Sequence, residues 1–433
     1  MVSNGLIAPF LGALQACISV LLTLCYGVAA RKMRMVQEVS IKDMSGLGVK
    51  LFFPALLIVN LGSHIHSGSV LNYVPVLAWA VIYTVASIGL GHAVTRLLKL
   101  PPWVTPAIAF NNTTSLPLLL LQSLKSAGSL KTIVPKGSTM ADSIERAQSY
   151  FLVCAVISKV IAYTTGPRML QDGGDRIDQD SGAEVEEEAG EHHDGHPSRE
   201  QIDEETSLLP EPAQKARDKV NSRIKRATGK ISSYFPERIK QELVSFDSPF
   251  VDAALICALT GAVLGLVPSL HKAFFNSYDD GGIFNAWLTS SIKNIGKLFT
   301  TLQVFVVGCK LGVSFERMKN SKNSGKVPFK GIITLFLVRL VIWPIVSIYT
   351  VYWLASRTKL LRDDPILWFS MMLMPTGPPA LIISGLAELA KASELEKFAI
   401  AKAMTILYAL SPLICFTITG ALKASEQVLE YKM

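Results

Sequence analysis

Carboxylates are scarce in the long apolar stretches of this chain, and charge is low altogether: 18% of its 433 residues are Asp, Glu, Lys or Arg. An ordinary soluble protein of this length carries about a quarter charged residues, so that class is excluded. With few acidic residues in the apolar runs, no sodium site and no proton relay of the Asp/Glu kind is evident. Also missing are the Gly-x-x-x-x-Gly-Lys-Ser/Thr loop, the His-Glu-x-x-His pair and the Gly-x-Ser-x-Gly elbow. The chain therefore reads as a non-enzyme with no cofactor and no metal site, and not as an ATP-driven pump or hydrolase. The six cysteines (Cys17, Cys25, Cys154, Cys257, Cys309, Cys415) all fall in apolar runs, where they act as small hydrophobes rather than as a disulfide framework.

What is present is hydrophobic sequence in long blocks. A membrane span needs about 20 apolar residues, and about ten stretches qualify: Leu6 to Ala30, Met44 to Gly62, Tyr73 to Leu97, Pro102 to Leu124, Ala147 to Thr165, Pro249 to Leu270, Leu288 to Val313, Phe329 to Ala355, Ile366 to Leu389, and Ala399 to Leu422. The fold class is thus all-α, a polytopic membrane protein. The first stretch has no basic region before it and is too long for a signal-peptide core, so it is expected to be retained as a span. A net charge of +8 does not point to nucleic acid, because the basic residues flank the spans. Arg31-Lys32-Met33-Arg34 places the end of span one in the cytosol, and alternation puts Arg96, Lys99, Arg317, Lys319 and Lys330 there too. Lys125, Lys131, Lys136 and Arg146, and also Arg357, Lys359 and Arg362, fit that alternation less well.

Between residues 171 and 245 the apolar pattern stops. Glu184, Glu186, Glu187, Glu188 and Glu191 mark an expected disordered tract, in which His192, His193 and His196 read as solvated rather than metal-binding. Basic residues follow (Lys215, Arg217, Lys219, Arg223, Lys225, Arg226, Lys230), with Val220, Ile224, Ala227 and Ile231 at helical spacing. A helix lying on an anionic leaflet and a merely solvated helix both fit. Glu204 with Leu208 and Leu209 matches an acidic dileucine pattern, short enough to arise by chance. The loop separates residues 1–170 from 246–433, about five spans each. An odd number per half makes the halves an inverted repeat if they are homologous.

Two spans are interrupted at matching places. In span four, Asn111-Asn112-Thr113-Thr114-Ser115-Leu116-Pro117 breaks the apolar run; in span nine, Pro375-Thr376-Gly377-Pro378-Pro379 does the same. Irregular backbone at membrane depth is tolerated only inside protein or against a water-filled cavity, and such a pair is the best sequence pointer to a transporter site. Proline favours a new half-helix near Pro117 and near Pro378-Pro379. Thr114 or Ser115, and Thr376 or Gly377, are suitable caps. Each new N-terminus would favour a carboxylate by about 0.3–2 kcal/mol, and Asn111 and Asn112 could orient an anion or a water chain. Elsewhere, Lys50 and Lys310 are expected to reach the interface. Lys159 should face a cavity, pair, or extend outward. For Arg339, contact with carbonyls and a substrate role stand level. Asp252 is expected to pair with cytosolic base, and Gly261 and Gly265 to pack helices.

Four segments together resemble the auxin efflux carrier superfamily, in particular its PIN-like branch: Leu51-Phe52-Phe53-Pro54-Ala55-Leu56-Leu57-Ile58, Ser115-Leu116-Pro117-Leu118, Gly377-Pro378-Pro379-Ala380, and Tyr408-Ala409-Leu410-Ser411-Pro412-Leu413. The resemblance covers the spans but not the loop. It implies two inverted five-helix repeats with broken, crossing spans four and nine, a scaffold of spans one, two, six and seven, elevator-type movement and homodimers. It also implies a substrate site at Asn112, Pro117, Pro378 and Pro379, with Asn111, Ser115 and Gly377 beside them. The implied cargo is a small organic anion of the indole-3-acetate type, and shorter-loop relatives imply the endoplasmic reticulum membrane, with the plasma and vacuolar membranes left open. The double asparagine and the added Pro375 depart from the family pattern, so cargo does not transfer directly. An ion-coupled symporter, and a receptor or scaffold acting through the loop, are the competing readings.

Overall fold

The computed structural model describes residues 4–66, 68, 70–135, 137–171, 249–320, 329–390 and 392–432. The acidic tract, its histidines, the basic stretch and the dileucine pattern lie outside the described residues. Among those described, all regular structure is helical, apart from one isolated β-bridge. In chain order the helices are α1 (Asn4–Lys32), α2 (Glu38–Leu47), α3 (Phe53–His64), α4 (Tyr73–Leu97), α5 (Val104–Ala109), α6 (Ser115–Ala127) and α7 (Met140–Gln171). The second half holds α8 (Pro249–Leu266), α9 (Pro268–Phe275), α10 (Ser290–Asn320), α11 (Phe329–Leu337), α12 (Trp343–Arg357), α13 (Pro365–Leu373), α14 (Ile382–Leu389), α15 (Glu394–Ala409) and α16 (Ile414–Lys432).

Among the described residues, six continuous helices are long and apolar enough to cross a bilayer, and eight do so if two bent pairs each count as one span. The protein is a polytopic membrane protein. Its outward faces carry Leu11, Leu22, Val81, Val85, Leu259, Ile345 and Trp353 in exposed positions, the pattern expected when lipid rather than water surrounds the helices.

Proline explains most departures from straight helix. The expected span six ends earlier than its apolar run: α8 stops at Leu266, Pro268 opens α9, and the chain turns by 99° there. Pro268 has no amide hydrogen, which costs nothing at the first helical position and forbids continuation from α8. Span ten likewise bends by 45°, at Ser411-Pro412. Two further prolines stay inside continuous helices by a different device. Before Phe53-Pro54 the turn Gly48–Phe52 is widened, and Phe53 N–H reaches back to Gly48 O. Before Trp343-Pro344 the turn Val338–Ile342 is widened, and Trp343 N–H reaches back to Val338 O. A five-residue turn relieves the clash of the proline ring with the preceding turn.

Close helix contacts rest on small residues. Gly261 and Gly265 pack α8 against α3, where an added Cβ would meet Ile58 O at 3.0 Å and Ile65 O at 2.1 Å. Gly27 and Gly308 play the same part between α1 and α10, their added Cβ atoms lying 2.9 and 3.1 Å from the facing Cα. Small residues let backbones approach where dispersion has to hold helices together. Two of the basic residues that fit the charge alternation poorly have partners: Arg146 pairs with Asp364 at 3.4 Å, and Arg362 donates to Gly68 O.

A candidate substrate site at the crossing of two broken spans

Spans four and nine are each two short helices with extended chain between them. In span four, α5 ends at Ala109 and α6 starts at Ser115, with Thr114 at the cap position. In span nine, α13 ends at Leu373 and α14 starts only at Ile382. The second break is therefore longer than expected, and neither Thr376 nor Gly377 caps α14. Gly377 takes φ +105°, where a side chain is strained, and the consecutive prolines that follow keep the chain extended past it. At the far end of α13, the buried carboxylate of Asp364 caps the helix by accepting from Ile366 N–H at 3.0 Å and from Tyr150 Oη at 3.1 Å.

The two breaks meet edge to edge. Asn111 and Pro379 form an antiparallel bridge: Asn112 N–H donates to Pro378 O at 3.0 Å, and Ala380 N–H donates to Phe110 O at 2.9 Å. Side chains of span four then cross over. Asn111 Nδ2 donates to both Met374 O (2.8 Å) and Thr376 O (2.9 Å). Asn112 Nδ2 donates to Tyr408 Oη (2.9 Å) and Ser115 Oγ (3.2 Å), while its Oδ1 accepts from Thr114 N–H (3.2 Å). Tyr408 Oη in turn donates to Pro379 O at 3.2 Å.

Spans three and eight and break two's own Thr376 complete the set of donors to the end of α13 and to break two. Trp79 Nε1 reaches Met371 O (2.9 Å), Ser347 Oγ reaches Met372 O (2.7 Å), Thr376 Oγ1 reaches Leu373 O (2.7 Å), and Arg339 Nη1 reaches Pro375 O (3.2 Å). Six consecutive carbonyls, from Met371 to Thr376, are thus paired by side chains, and those of Pro378 and Pro379 are paired as well. A buried carbonyl left unpaired costs about 1–3 kcal/mol, so this set of donors is what permits irregular chain at this depth.

Of the seven residues singled out from sequence, six converge. Asn111, Asn112, Ser115, Gly377, Pro378 and Pro379 are all buried at the crossing. Pro117 lies one step down α6, half-buried, in its first turn, where its missing N–H is no loss. The N-terminus of α6 points its positive end into the crossing beside Asn112. In the sequence Tyr408 belongs only to the run that resembles the family; nothing local marks it as the partner of Asn112. Trp79 and Ser347 carried no signal at all, since ordinary apolar helix surrounds both. Arg339, left open between carbonyl contact and a substrate role, does contact a carbonyl of the break. Lys159 extends over the Phe53 ring, 3.9 Å from its centroid, and Lys310 Nζ donates to Ser45 Oγ.

The family description "Membrane transport protein" matches residues 13–355 of this chain. The chain belongs to that family, the auxin efflux carrier family. The matched residues include the first break, and the second lies beyond them. A fission-yeast protein from Schizosaccharomyces pombe (strain 972 / ATCC 24843), described as an uncharacterized transporter, is 21% identical over 373 residues, covering 80% of this chain and 81% of that protein. The protein is accordingly a multi-pass membrane transporter.

Proposed function

We propose that this transporter is a secondary efflux carrier for a small organic anion, an auxin-like aromatic carboxylate, working by elevator-type alternating access. The observation that carries the reading is the crossing itself: two interrupted spans joined through backbone hydrogen bonds, with a helix N-terminus and two buried asparagine amides at the junction. A carboxylate reaching it would meet the positive end of α6 rather than a fixed acid, at a junction held in place by the asparagine amides, whose own hydrogens are already donated. Asn112, Ser115 and Pro117 from span four, and Gly377 to Pro379 with Asn111, are the residues assigned to the site.

Packing supports the two-part mechanism. Helices α1, α3, α8 and α10 pack on one another through the glycine contacts described above, a scaffold of spans one, two, six and seven. Helices α4, α5, α7, α12 and α13 pack on one another beside the crossing, while α6 and α16 pack on α1 as well. In this reading residues 1–170 and 246–433 are inverted five-helix repeats joined by a cytosolic loop at 171–245, the protein works as a homodimer through its scaffold, and the endoplasmic reticulum is its membrane. No nucleotide is needed, since moving one charge across 100 mV is worth about 2.3 kcal/mol.

Purified protein in liposomes with an imposed potential, offered a panel of aromatic carboxylates, tests this. Electrogenic, saturable flux is expected to persist without sodium and with the proton gradient collapsed. Flux that stops on either treatment replaces the uniporter with an ion-coupled symporter, and absence of flux for every carboxylate at every potential overturns the carrier.

A further inference from the structure

Arg339 is the most deeply buried cation described, with no side-chain exposure, in the widened turn of span eight. Its Nη1 holds Pro375 O, yet its Nε and Nη2 have no hydrogen-bond partner, and no carboxylate pairs with it among the described residues. Arginine stays charged in proteins, so neutralisation has to come from outside the side chain. The C-terminal end of α13 beside Pro375 supplies at most about half a negative charge, and burial of an unbalanced cation at this depth is costly.

Four residues further along the same helix face, the indole Nε1 of buried Trp343 also lacks a partner. The Trp343 ring stands edge-on to Tyr83, 6.2 Å between centroids, and Trp79 lies tilted against Tyr83 at 6.4 Å. Ser87, one turn beyond Tyr83 on α4, has a buried hydroxyl that is likewise unpaired. Spans three and eight therefore meet in a region rich in unpaired donors and walled by aromatic rings. Donors without acceptors, around a fixed positive charge, select an anion.

We propose that the free Nε and Nη2 of Arg339, together with Trp343 Nε1, form a seat for a monovalent anion behind the break of span nine. The occupant is either the carboxylate of an aromatic cargo or an inorganic monovalent anion, both of which present the same chemistry to a guanidinium. The cargo arm rests on the carrier reading above; the site itself does not. Because Arg339 also holds Pro375 O, an anion drawn to its other nitrogens would be sensed directly by the backbone of the crossing.

The full chain, purified in detergent, is to be titrated with sodium benzoate and separately with sodium bromide, with isethionate holding ionic strength constant. The melting temperature and the bromide quenching of tryptophan emission are read. Wild type is expected to show saturable stabilisation, with benzoate alone marking an organic carboxylate seat and both probes marking a general monovalent-anion seat. Arg339→Gln is expected to weaken the apparent affinity roughly tenfold or more, the loss of charge-assisted bonds. Trp343→Phe, which keeps the ring and the arginine, is expected to weaken it about three- to tenfold, and it serves as the test if Arg339→Gln does not fold. A flat titration of wild type, or equal affinity in wild type and both variants, overturns the seat. Binding through Arg339 without flux in liposomes keeps the seat and removes the carrier. Flux in the absence of Arg339-dependent binding does the opposite.

Discussion

The two breaks at the crossing solve one problem with opposite materials. Break one, between Ala109 and Ser115, is short and contributes side-chain donors: both amide hydrogens of Asn111 and one of Asn112 leave for other segments. Break two, between Leu373 and Ile382, is longer, is built on Pro375, Gly377, Pro378 and Pro379, and contributes main-chain acceptors. Proline has no amide to offer and a carbonyl that must be met. A proline-rich break can therefore exist in lipid only opposite a donor-rich one, and the asparagine pair is that counterpart.

This division can be attacked from either side. Asn111→Ala should have the largest effect on stability, because Met374 O and Thr376 O lose their donor together, at about 1–3 kcal/mol each; a thermal melt of the purified variant should fall well below wild type. A melt unchanged from wild type would mean that water or another group already serves those carbonyls. Asn112→Ala should act mainly on transport, since Ser115 and Tyr408 can turn to each other or to Pro379 O; flux is expected to fall to background with expression intact, and Pro117→Ala should do the same. Gly377→Ala probes backbone alone, since its added Cβ would find only Ile414 Cδ1 at 3.7 Å while φ +105° stays strained. It should cost about 1–3 kcal/mol in stability. The smallest change is Tyr408→Phe, expected to remove about 0.5–1.5 kcal/mol of hydrogen bonding and to appear as a raised KM more than as a lowered melting point.

Position along the chain told much of this, and side-chain direction told little. The polar and proline interruptions located both breaks, Thr114 was one of the two residues suited to cap α6, and Gly261 and Gly265 read correctly as packing residues. The second cap was placed wrongly: Pro378 and Pro379 suggested that a helix would begin on them, whereas the bridge to Asn111 holds them extended and delays α14 to Ile382. Asn111 and Asn112 looked suited to meet a ligand or water, yet Asn111 spends both amide hydrogens on carbonyls more than 260 positions away. No local pattern encodes such a pairing. The same holds for Tyr408, Trp79 and Ser347, whose roles exist only once spans three, eight and ten are assembled around span nine. The 99° turn at Pro268 was missed because hydropathy continues through it: apolar composition reports burial in lipid, and chain direction is set by the one residue that cannot continue a helix.

The bridge between Phe110–Asn112 and Pro378–Ala380 also has a consequence for biogenesis. Asn111 is separated from Met374 by 263 positions, which at 5–20 residues per second leaves roughly 13–50 s of synthesis between them. Through that interval the amino-terminal portion sits in the translocation machinery with polar groups whose only native partners have not been made. Insertion must shelter this unfinished segment from lipid until the chain through Tyr408 has been made, so the crossing closes only after most of the second half has been synthesised.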